Sequence, residues 1–410
     1  MVRLSILSDN EGGRMKKVFS FIIIIICLIS GCSCDNVTKT TIFSSHIKAY
    51  SSKNSNSYSL VSPFGTYISL VGYNEKKVKS VEDEFNNLVE RYHALLDRNY
   101  YYKDSEGNFI NNIKVINDSY GSNNSVDVDE IIIEILKEGI KYTKLSNGKF
   151  NIFSGSIVDL WEKRFDITSS LYKVDPSGDE VREALKCVVK VSDIDSVFVI
   201  DDENNKVKFN KVSGCKEASS ITLGALAKSF FLDKLAKQET FVNIGSAIYD
   251  AGQSSIIVKG ENPTRESKEW FIAIKDSLSG GNAVQLKVAN DNAISTSSGD
   301  YKGYIKEDGT RRHHIIDATS GYPSGYLLAA TVVGESAMIM DVVSTSLMCM
   351  NLEEIKNYLI LLEDAGVKIK VLLQVKDENN KLRLLLNKDM NSIVKEVYSD
   401  ASTEVFVYGA

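Results

Sequence analysis

Residues 296–347 decide how the rest of this chain is interpreted. The segment contains TSSGDY at 296–301, HHIIDATSGYP at 313–323 and SAMIMDVVSTSL at 336–347. The last of these begins an apolar run that predicts a helix, on which Asp341 and Thr345 are four residues apart and share one face. A carboxylate beside a hydroxyl suits Mg²⁺, which binds hard oxygen ligands. The same spacing also occurs on solvated helix edges, so the pattern alone leaves both interpretations open.

A second segment with chemical character lies upstream, with the sequence ITLGALAKSFFLD at 221–233. A turn of small residues opens an amphipathic helix here, and the first N–H groups of a helix, which lack partners inside it, attract anions. Lys228 adds a positive charge that suits a pyrophosphate. Any amphipathic helix can begin in this way and carry a lysine, so a purely structural role is the alternative.

Hydrophobic periodicity predicts helices and strands without regular alternation. Helices are expected from Ser80 onward, over 129–145 and over 337–350, and His93 on the first of them is assigned a structural role. Strands are predicted over 64–71, 196–200, 206–209, 255–259, 270–274, 284–288, 368–375 and 404–408. This mixture predicts an α+β fold, a single large domain of mixed, mainly antiparallel sheets with flanking helices.

Composition and cysteine spacing argue against two functions, nucleic-acid binding and zinc binding. The chain has 410 residues, of which 43% are hydrophobic, which is ample for a large core. A formal net charge of −6 and the lack of a long basic block argue against nucleic acid as a partner. The sequence has no CxxC pair and no Cys/His spacing of the kind that binds zinc. Disulfides among Cys34, Cys187, Cys215 and Cys349 remain open, although Cys349 lies in an apolar helix and is expected to be buried.

The N-terminus resembles the signal sequence of a bacterial lipoprotein. Lys16 and Lys17 precede an apolar run over 18–29 that is shorter than the roughly 20 residues a spanning helix needs. Small residues then lead to Cys32, as in a lipobox, where the cysteine is lipidated and the chain is cut before it. An uncleaved transmembrane anchor is the alternative. We expect a signal peptide over residues 1–31, with Met15 as the true start of translation. The mature protein is then expected to face outward from a bacterial membrane.

The remaining chain divides into a linker and a folded domain. Residues 32–57 are rich in Ser, Thr, Asn and Lys and predict a flexible tether behind the lipid anchor. Residues 58–410 are expected to form the folded domain.

Taken in order, the motifs resemble the FAD:protein FMN transferases, the ApbE family. Family members have SGDY, then H-I-I-D-P-x-T-G-x-P, then A-D-x-x-[SA]-T-[AS]-L, and residues 298–347 follow that order. Weaker matches are FGT at 64–66, GKFNIFSGS at 148–156, LGALAKS at 223–229 and NIGSA at 243–247. The resemblance covers roughly residues 64–350 and implies an ApbE, T-fold-like architecture.

The resemblance also implies a chemistry, in which FMN is transferred from FAD to a hydroxyl of another protein with the help of Mg²⁺. Magnesium would be held by the Asp341 carboxylate, the Thr345 hydroxyl and the backbone carbonyl of Ala225. Catalytic candidates are His314, Asp300 and Lys228, with His314 chosen because histidine titrates near neutral pH. FAD contacts are expected from Phe64, Tyr100, Lys149, Phe150, Asn151, Thr222, Lys228 and Ile315.

The expected partners are FAD, an exported or membrane redox subunit that carries the acceptor Thr or Ser, and membrane lipid through Cys32. Thr222 and Ala247 replace acidic residues of the family pattern, and Ser229 and Ser246 replace glycines. Two alternatives follow from these departures. Water in place of the acceptor hydroxyl would give a Mg²⁺-dependent FAD pyrophosphatase, and loss of turnover would give a flavin-binding surface lipoprotein. A solute-binding lipoprotein would fit the anchor but not the ordered motifs.

Overall fold

The computed structural model of the chain describes residues 38–55, 57–300, 302–398 and 401–409. Its strands are β1 Thr40–Phe43, β2 Ile47–Ala49, β3 Ser59–Val61, β4 Ile68–Gly72, β5 Val126–Asp127, β6 Phe198–Asp201, β7 Lys206–Phe209, β8 Ala247–Ala251, β9 Ser255–Lys259, β10 Trp270–Lys275, β11 Asn282–Val288, β12 Ala293–Ser298, β13 Gly303–Ile305, β14 Arg311–His313, β15 Ile316–Asp317, β16 Tyr322–Pro323, β17 Ala329–Gly334, β18 Lys370–Lys376, β19 Leu382–Leu386, β20 Val394–Val397 and β21 Ser402–Val405.

Its helices are α1 Glu75–Ser80, α2 Glu82–Leu96, α3 Ile113–Asp118, α4 Glu130–Leu145, α5 Gly155–Phe165, α6 Gly178–Leu185, α7 Ile194–Val197, α8 Ala227–Lys237, α9 Glu239–Val242, α10 Ala337–Met348, α11 Leu352–Asp364 and α12 Lys388–Asn391. Short 3₁₀ turns lie at Pro63–Gly65 and Val191–Asp193. Among the described residues, no helix is long and apolar enough to cross a membrane.

A nine-stranded sheet forms the centre of the fold, in the order β1-β4-β8-β9-β12-β17-β18-β19-β21. Neighbouring strands in it pair antiparallel, except that β19 and β21 are parallel. A smaller sheet of β10, β11 and β20 lies beside it. The predicted α+β class with mainly antiparallel sheets is therefore confirmed.

Both faces of the central sheet are buried, because side chains alternate between two cores. On β4, Leu70 packs in the larger core, which includes the helices, while Val71 packs in the smaller one against β10 and β11. On β17, Val332 and Val333 divide in the same way. Each of these four side chains is at most 7% exposed. The functional helices α8 and α10 lie on the side of the larger core, against β8, β9, β12 and β17.

A third, smaller core ties α5 and α6 to the segment around residue 318. It is built on Trp161, which packs with Ile157, Val181, Val188 and Ala318. The indole Nε1 of Trp161 donates a hydrogen bond to the carbonyl of Gly321 at 2.8 Å. This core fixes the position of the HHIIDATSGYP segment relative to the loop that precedes α5.

The predicted tether is wrong for the part of it that the structure describes. Strand β1 pairs along its length with β4 at the edge of the central sheet, and β2 pairs with β3. Ile42 and Ile47 are both at most 4% exposed. The segment looked linker-like because its many Ser, Thr and Asn residues mask a few apolar positions. The signal peptide and Cys32 lie outside the described residues.

Of the cysteines that the structure describes, two form a disulfide and one is a free thiol. Cys187, which follows α6, forms a disulfide with Cys215, which follows β7. Cys349 is free and buried, as expected, and burial raises the pKa of its thiol. Cys34 lies outside the described residues.

Candidate active site

Helix α10 is held against α8 by one buried carboxylate. Asp233 of α8 accepts hydrogen bonds from the Ser336 hydroxyl at 2.6 Å and from the backbone N–H groups of Ala337 and Met338 at 2.8 and 3.0 Å. These groups belong to the first turn of α10, where N–H groups have no partner inside the helix. Burial nevertheless raises the pKa of Asp233 above its usual value. The contact fixes where α10 presents its functional residues.

Asp341 of α10 lies in a cluster of donors. Its Oδ2 atom is 2.5 Å from Lys228 Nζ and 2.8 Å from Ser229 Oγ, and its Oδ1 atom is 3.2 Å from Ser295 Oγ. The side chains of Lys228 and Asp341 are only 15% and 4% exposed. We call these four residues the cation corner. The structure thus joins two predicted functional residues that are 113 positions apart in the sequence.

Thr345 faces the same strand as Asp341, one helical turn later. Its hydroxyl is 3.2 Å from the hydroxyl of Ser297, while Asp341 contacts Ser295. Ser295 and Ser297 are alternate residues of β12 and therefore point to one side of the sheet. The expectation that Asp341 and Thr345 share a helix face is confirmed.

The oxygen atoms of Asp341, Thr345 and Ala225 are of the kinds that bind a hard divalent cation. The described residues contain no group of three or more His, Cys, Asp or Glu side chains that could hold a metal. Ala225 lies in the turn before α8, and no hydrogen bond to its carbonyl oxygen is found among the described residues. A carboxylate, a hydroxyl and a free carbonyl are the oxygen ligands that Mg²⁺ takes when substrate phosphates and water supply the others.

The turn before α8 is connected to the loop at 148–158. The N–H of Thr222 donates to the carbonyl of Ile152 at 2.7 Å, and the N–H of Gly155 donates to the carbonyl of Ser220 at 3.0 Å. The segment at 313–323 adjoins this loop as well, because Lys149 Nζ is 3.0 Å from Asp317 Oδ2. The three segments that carry most of the predicted FAD contacts are therefore neighbours in space.

Within the 148–158 loop, the predicted FAD contacts mostly serve the loop itself. Phe150 is 5% exposed. The Asn151 side chain is buried, donates to the carbonyl of Val189 and accepts from the N–H of Phe153. Lys149 is paired with Asp317 and lies 3.5 Å from Glu354. Phe150 and Asn151 therefore shape the loop, and the polar groups of Asn151 and Lys149 are already paired within the protein.

The two adjacent histidines differ in environment. His313 is 2% exposed, donates from Nε2 to the carbonyl of Ser324 at 2.7 Å and accepts from the N–H of Ile315. Solvent reaches His314, although protein atoms surround it closely. Desolvation lowers the pKa of each ring to about 4, and for His314 the neighbouring charges of Lys302 and Lys228 act in the same direction.

This environment corrects the reason for which His314 was chosen. A histidine with a pKa of about 4 does not titrate near neutral pH, so His314 is uncharged under ordinary conditions. The charge of Lys228 also acts on His314, so the two side chains interact electrostatically. Ile315, the neighbouring FAD candidate, is 7% exposed and belongs to the larger core.

Asp300 lies at the end of β12 and is held as a carboxylate. Burial alone would raise the pKa of Asp300, but hydrogen bonds from Ser298 and from Lys275 at 3.1 Å hold it below its usual value. Asp300 is therefore an anion at neutral pH. The next residue, Tyr301, lies outside the described residues.

Phe64 occupies a strained position opposite α8. Its φ of 52° lies in the left-handed region, which costs a non-glycine residue about 1–3 kcal/mol. Its N–H donates to Nδ1 of His93 at 3.1 Å, and its ring stacks on Phe231 of α8 with the centroids 5.8 Å apart. Tyr102 Oη is 3.0 Å from His93 Nε2 and donates to Asp97 at 2.5 Å. We call Phe64, His93, Tyr102 and Asp97 the aromatic corner.

The family model described as the ApbE family matches residues 64–368, well over half of the chain. The chain belongs to the ApbE family. Two curated relatives described as FAD:protein FMN transferase support the assignment. The one from Haemophilus influenzae is 27% identical over 347 residues, which cover 81% of this chain and 87% of the relative. The one from Vibrio cholerae is 27% identical over 281 residues, which cover 67% and 75%.

Solved structures of ApbE proteins share the fold. The ApbE protein of Thermotoga maritima matches with a TM-score of 0.62 at 23% identity and covers 81% of this chain and 97% of its own. The flavin transferase ApbE of Vibrio cholerae matches with a TM-score of 0.63 at 22% identity and covers 87% and 100%. The resemblance inferred from the motifs is confirmed.

Several residues of this ApbE site were not predicted from the sequence. Asp233, Ser295, Ser297 and Lys275 act on a predicted residue or its helix through contacts that are distant in sequence. His93 was assigned a structural role, and its contact with Phe64 agrees with that. Tyr100 is half-buried, and its carbonyl accepts from Asn112 at 2.9 Å.

Proposed function

We propose that this ApbE family member is a FAD:protein FMN transferase that moves FMN from FAD to a Thr or Ser hydroxyl of another protein, releases AMP and depends on Mg²⁺. The observation that carries the proposal is the buried pair of Lys228 and Asp341, 2.5 Å apart. The Lys228 ammonium could bind phosphate oxygens, and the neighbouring Asp341 carboxylate could bind a hard metal ion. The curated relatives described as FAD:protein FMN transferase support the reaction class.

The pyrophosphate of FAD would lie at the start of α8. The N–H of Ala227, the first residue of α8, donates to the carbonyl of Leu223 at 2.8 Å, so the next N–H groups of the first turn, together with the helix dipole, would attract the phosphate. Lys228, the second residue of α8, would contribute its ammonium to the same anion. Gly224, in the turn that precedes the helix, is exposed, so a phosphate can approach the backbone closely.

Asp341, Thr345 and the carbonyl of Ala225 would hold Mg²⁺. When bound, the ion supplies Lewis acidity and orients the phosphate oxygens. Phosphoryl transfer needs little covalent work from the protein, which mainly aligns the reactants and offsets negative charge. The buried donors around Asp341 suit that task, because they keep the carboxylate in one position.

The reaction would exchange one phosphorus–oxygen bond for another. The acceptor hydroxyl oxygen attacks the FMN-side phosphorus, and AMP leaves with the bridging oxygen and its electron pair. His314 is neutral at pH 7 and can take the hydroxyl proton or contact the flavin. Asp300 is ionised and paired with Lys275, so it is better suited to positioning than to donating a proton.

We also propose that the protein is a lipoprotein on the extracytoplasmic face of a bacterial membrane. The Lys16-Lys17 start, the apolar run and the small residues before Cys32 support this placement. An acceptor on an exported or membrane redox subunit would then be within reach. Fractionation of cells that carry Cys32→Ser tests it. We expect the variant to keep its precursor size, and unchanged maturation with membrane retention would contradict the lipid anchor.

Product analysis tests the reaction. The purified protein is incubated with FAD, Mg²⁺ and a candidate acceptor, and the mixture is separated on a denaturing gel and by chromatography. We expect flavin fluorescence on the denatured acceptor together with AMP. FMN and AMP without labelled acceptor would replace the proposal with a FAD pyrophosphatase. Tightly bound FAD with no product would replace it with a flavin carrier.

A further inference from the structure

The ion pair in the cation corner presents a problem for metal binding. Each carboxylate oxygen offers about two lone-pair positions. Oδ2 of Asp341 already contacts Lys228 Nζ at 2.5 Å and Ser229 Oγ at 2.8 Å. Oδ1 is 3.2 Å from Ser295 Oγ. The carboxylate that would bind the metal is therefore already occupied on its Oδ2 side by the protein's own cation.

Charge makes the competition stronger than hydrogen bonding alone. Lys228 and Asp341 are largely shielded from water, so like charges placed there repel strongly. A divalent ion on Asp341 would share that carboxylate with the Lys228 ammonium, and the two positive charges would repel each other. A cation that arrives alone must therefore displace Lys228 or tolerate its repulsion.

A pyrophosphate removes the conflict by adding negative charge at the same place. Lys228 lies in the first turn of α8, next to the N–H groups proposed for phosphate binding, and its four-carbon stem lets the ammonium move. Once Lys228 contacts a phosphate oxygen, Asp341 is free to serve as a ligand. The dinucleotide and the metal would then each favour the binding of the other, and by linkage to the same degree.

We propose that Lys228 acts as a gate on the metal site, occupying Asp341 until a pyrophosphate draws it away, so that metal and dinucleotide bind cooperatively. This inference rests on the proposed metal site. Ser229 has a secondary part in it. Its hydroxyl contributes a second donor to Oδ2, at a position where the family pattern has glycine, and helps to keep the carboxylate engaged.

Binding of Mn²⁺, followed by the electron paramagnetic resonance of the free ion, tests the gate without turnover. Mn²⁺ is titrated into the full chain with and without ADP, which supplies a pyrophosphate. We expect ADP to tighten Mn²⁺ binding by about tenfold or more, and Mn²⁺ to tighten ADP binding by the same factor. Equal Mn²⁺ affinity with and without ADP would overturn the gate.

Substitutions at Lys228 separate charge from shape. Lys228→Gln keeps a hydrogen-bond donor but no charge, and we expect Mn²⁺ alone to bind it about tenfold more tightly than wild type, with most of the ADP dependence lost. Lys228→Arg keeps the charge and should keep the coupling. Ser229→Ala should tighten Mn²⁺ binding only slightly and retain the coupling. Lys228→Gln with wild-type Mn²⁺ affinity would overturn the gate even if the metal site is real.

Two further results test the metal site itself. Asp341→Asn should lose Mn²⁺ binding with and without ADP. If it binds Mn²⁺ as wild type does, or if wild type binds none even with ADP, the proposed metal site is wrong and the gate is overturned with it. Circular dichroism of each variant establishes that the fold is kept, and Ser229→Ala provides a milder readout if Lys228→Gln does not fold.

Discussion

The cation corner includes two residues of α8 and the aromatic corner packs against the same helix, yet different interactions stabilise them. In the cation corner a charged pair, Lys228 and Asp341, is surrounded by hydroxyl groups. In the aromatic corner a neutral ring, His93, holds a strained backbone at Phe64. Charged groups respond to ions and phosphates, whereas a buried neutral histidine responds to acid. The two corners should therefore fail under different conditions.

The largest effect is expected from removing the carboxylate of the cation corner. Asp341→Ala should lower kcat/KM for flavin transfer by roughly 100- to 1000-fold, because a group that organises charge around the pyrophosphate is lost. The rate of acceptor labelling measures it. Glu134→Gln, which removes a partly exposed carboxylate from a surface pair with Lys234, is the matched control and should keep full activity. Comparable activity in both variants would show that the cation corner is not the site.

The next largest effect concerns how α10 is anchored. Asp233→Ala leaves the Ser336 hydroxyl and two N–H groups without an acceptor, so the free energy of unfolding should fall by about 2–4 kcal/mol. Urea denaturation measures the change. Asp233→Asn retains one acceptor oxygen and should lose less. A loss below about 0.5 kcal/mol for the alanine variant would mean that α10 is held by its apolar face alone.

Acid should weaken the aromatic corner through its buried histidine. Desolvation lowers the pKa of His93 below its usual value, as it lowers that of His313 to about 4. An unfolded histidine takes up a proton near pH 6.5, so between that pH and the folded pKa the unfolded state binds more protons. The contribution of each neutral histidine to the free energy of unfolding is therefore fully present above about pH 6.5. It is lost as the pH drops, and for His313 the loss reaches roughly 3 kcal/mol at pH 4.

Denaturation midpoints between pH 7.5 and 4.5 measure this loss. His93→Gln cannot take up the proton, so its stability should fall less steeply over that range than that of wild type. His46→Gln, at an exposed position, is the matched control and should follow the wild-type curve. Identical slopes for wild type and His93→Gln would exclude His93 as a source of acid sensitivity.

The smallest effect is expected at Asp250 on β8, which belongs to neither corner. Burial raises the pKa of Asp250 to about 6, and its carboxylate accepts from Tyr67 at 3.3 Å and from the N–H of Gln253 at 2.7 Å. A raised carboxyl pKa stabilises the fold at low pH, and that contribution is lost as the pH rises through 6. Asp250→Asn should therefore be more stable than wild type by about 2 kcal/mol at pH 7.5, and the gain should vanish near pH 4. Equal thermal midpoints at pH 7.5 would contradict it.

The sequence predicted what depends on local periodicity and order. A run with helical spacing places Asp341 and Thr345 on one face whatever surrounds it, and short runs of apolar residues mark β9 and β10. What it could not predict are contacts between residues that are far apart in the chain. The pairing of Asp341 with Ser295, the hydrogen bond from Phe64 to His93 and the partner of Cys187 depend on how strands and helices come together. The pKa of His314 depends on the same packing.

The most direct test of the proposed FMN transfer is the intact mass of an acceptor protein after reaction. A candidate acceptor is produced together with wild-type protein or with Asp341→Ala and measured by mass spectrometry under denaturing conditions. Wild type should add the mass of FMN less one water to a single Thr or Ser, and the variant should add almost none. An unmodified acceptor with wild type, while FAD is converted to FMN and AMP, would contradict it.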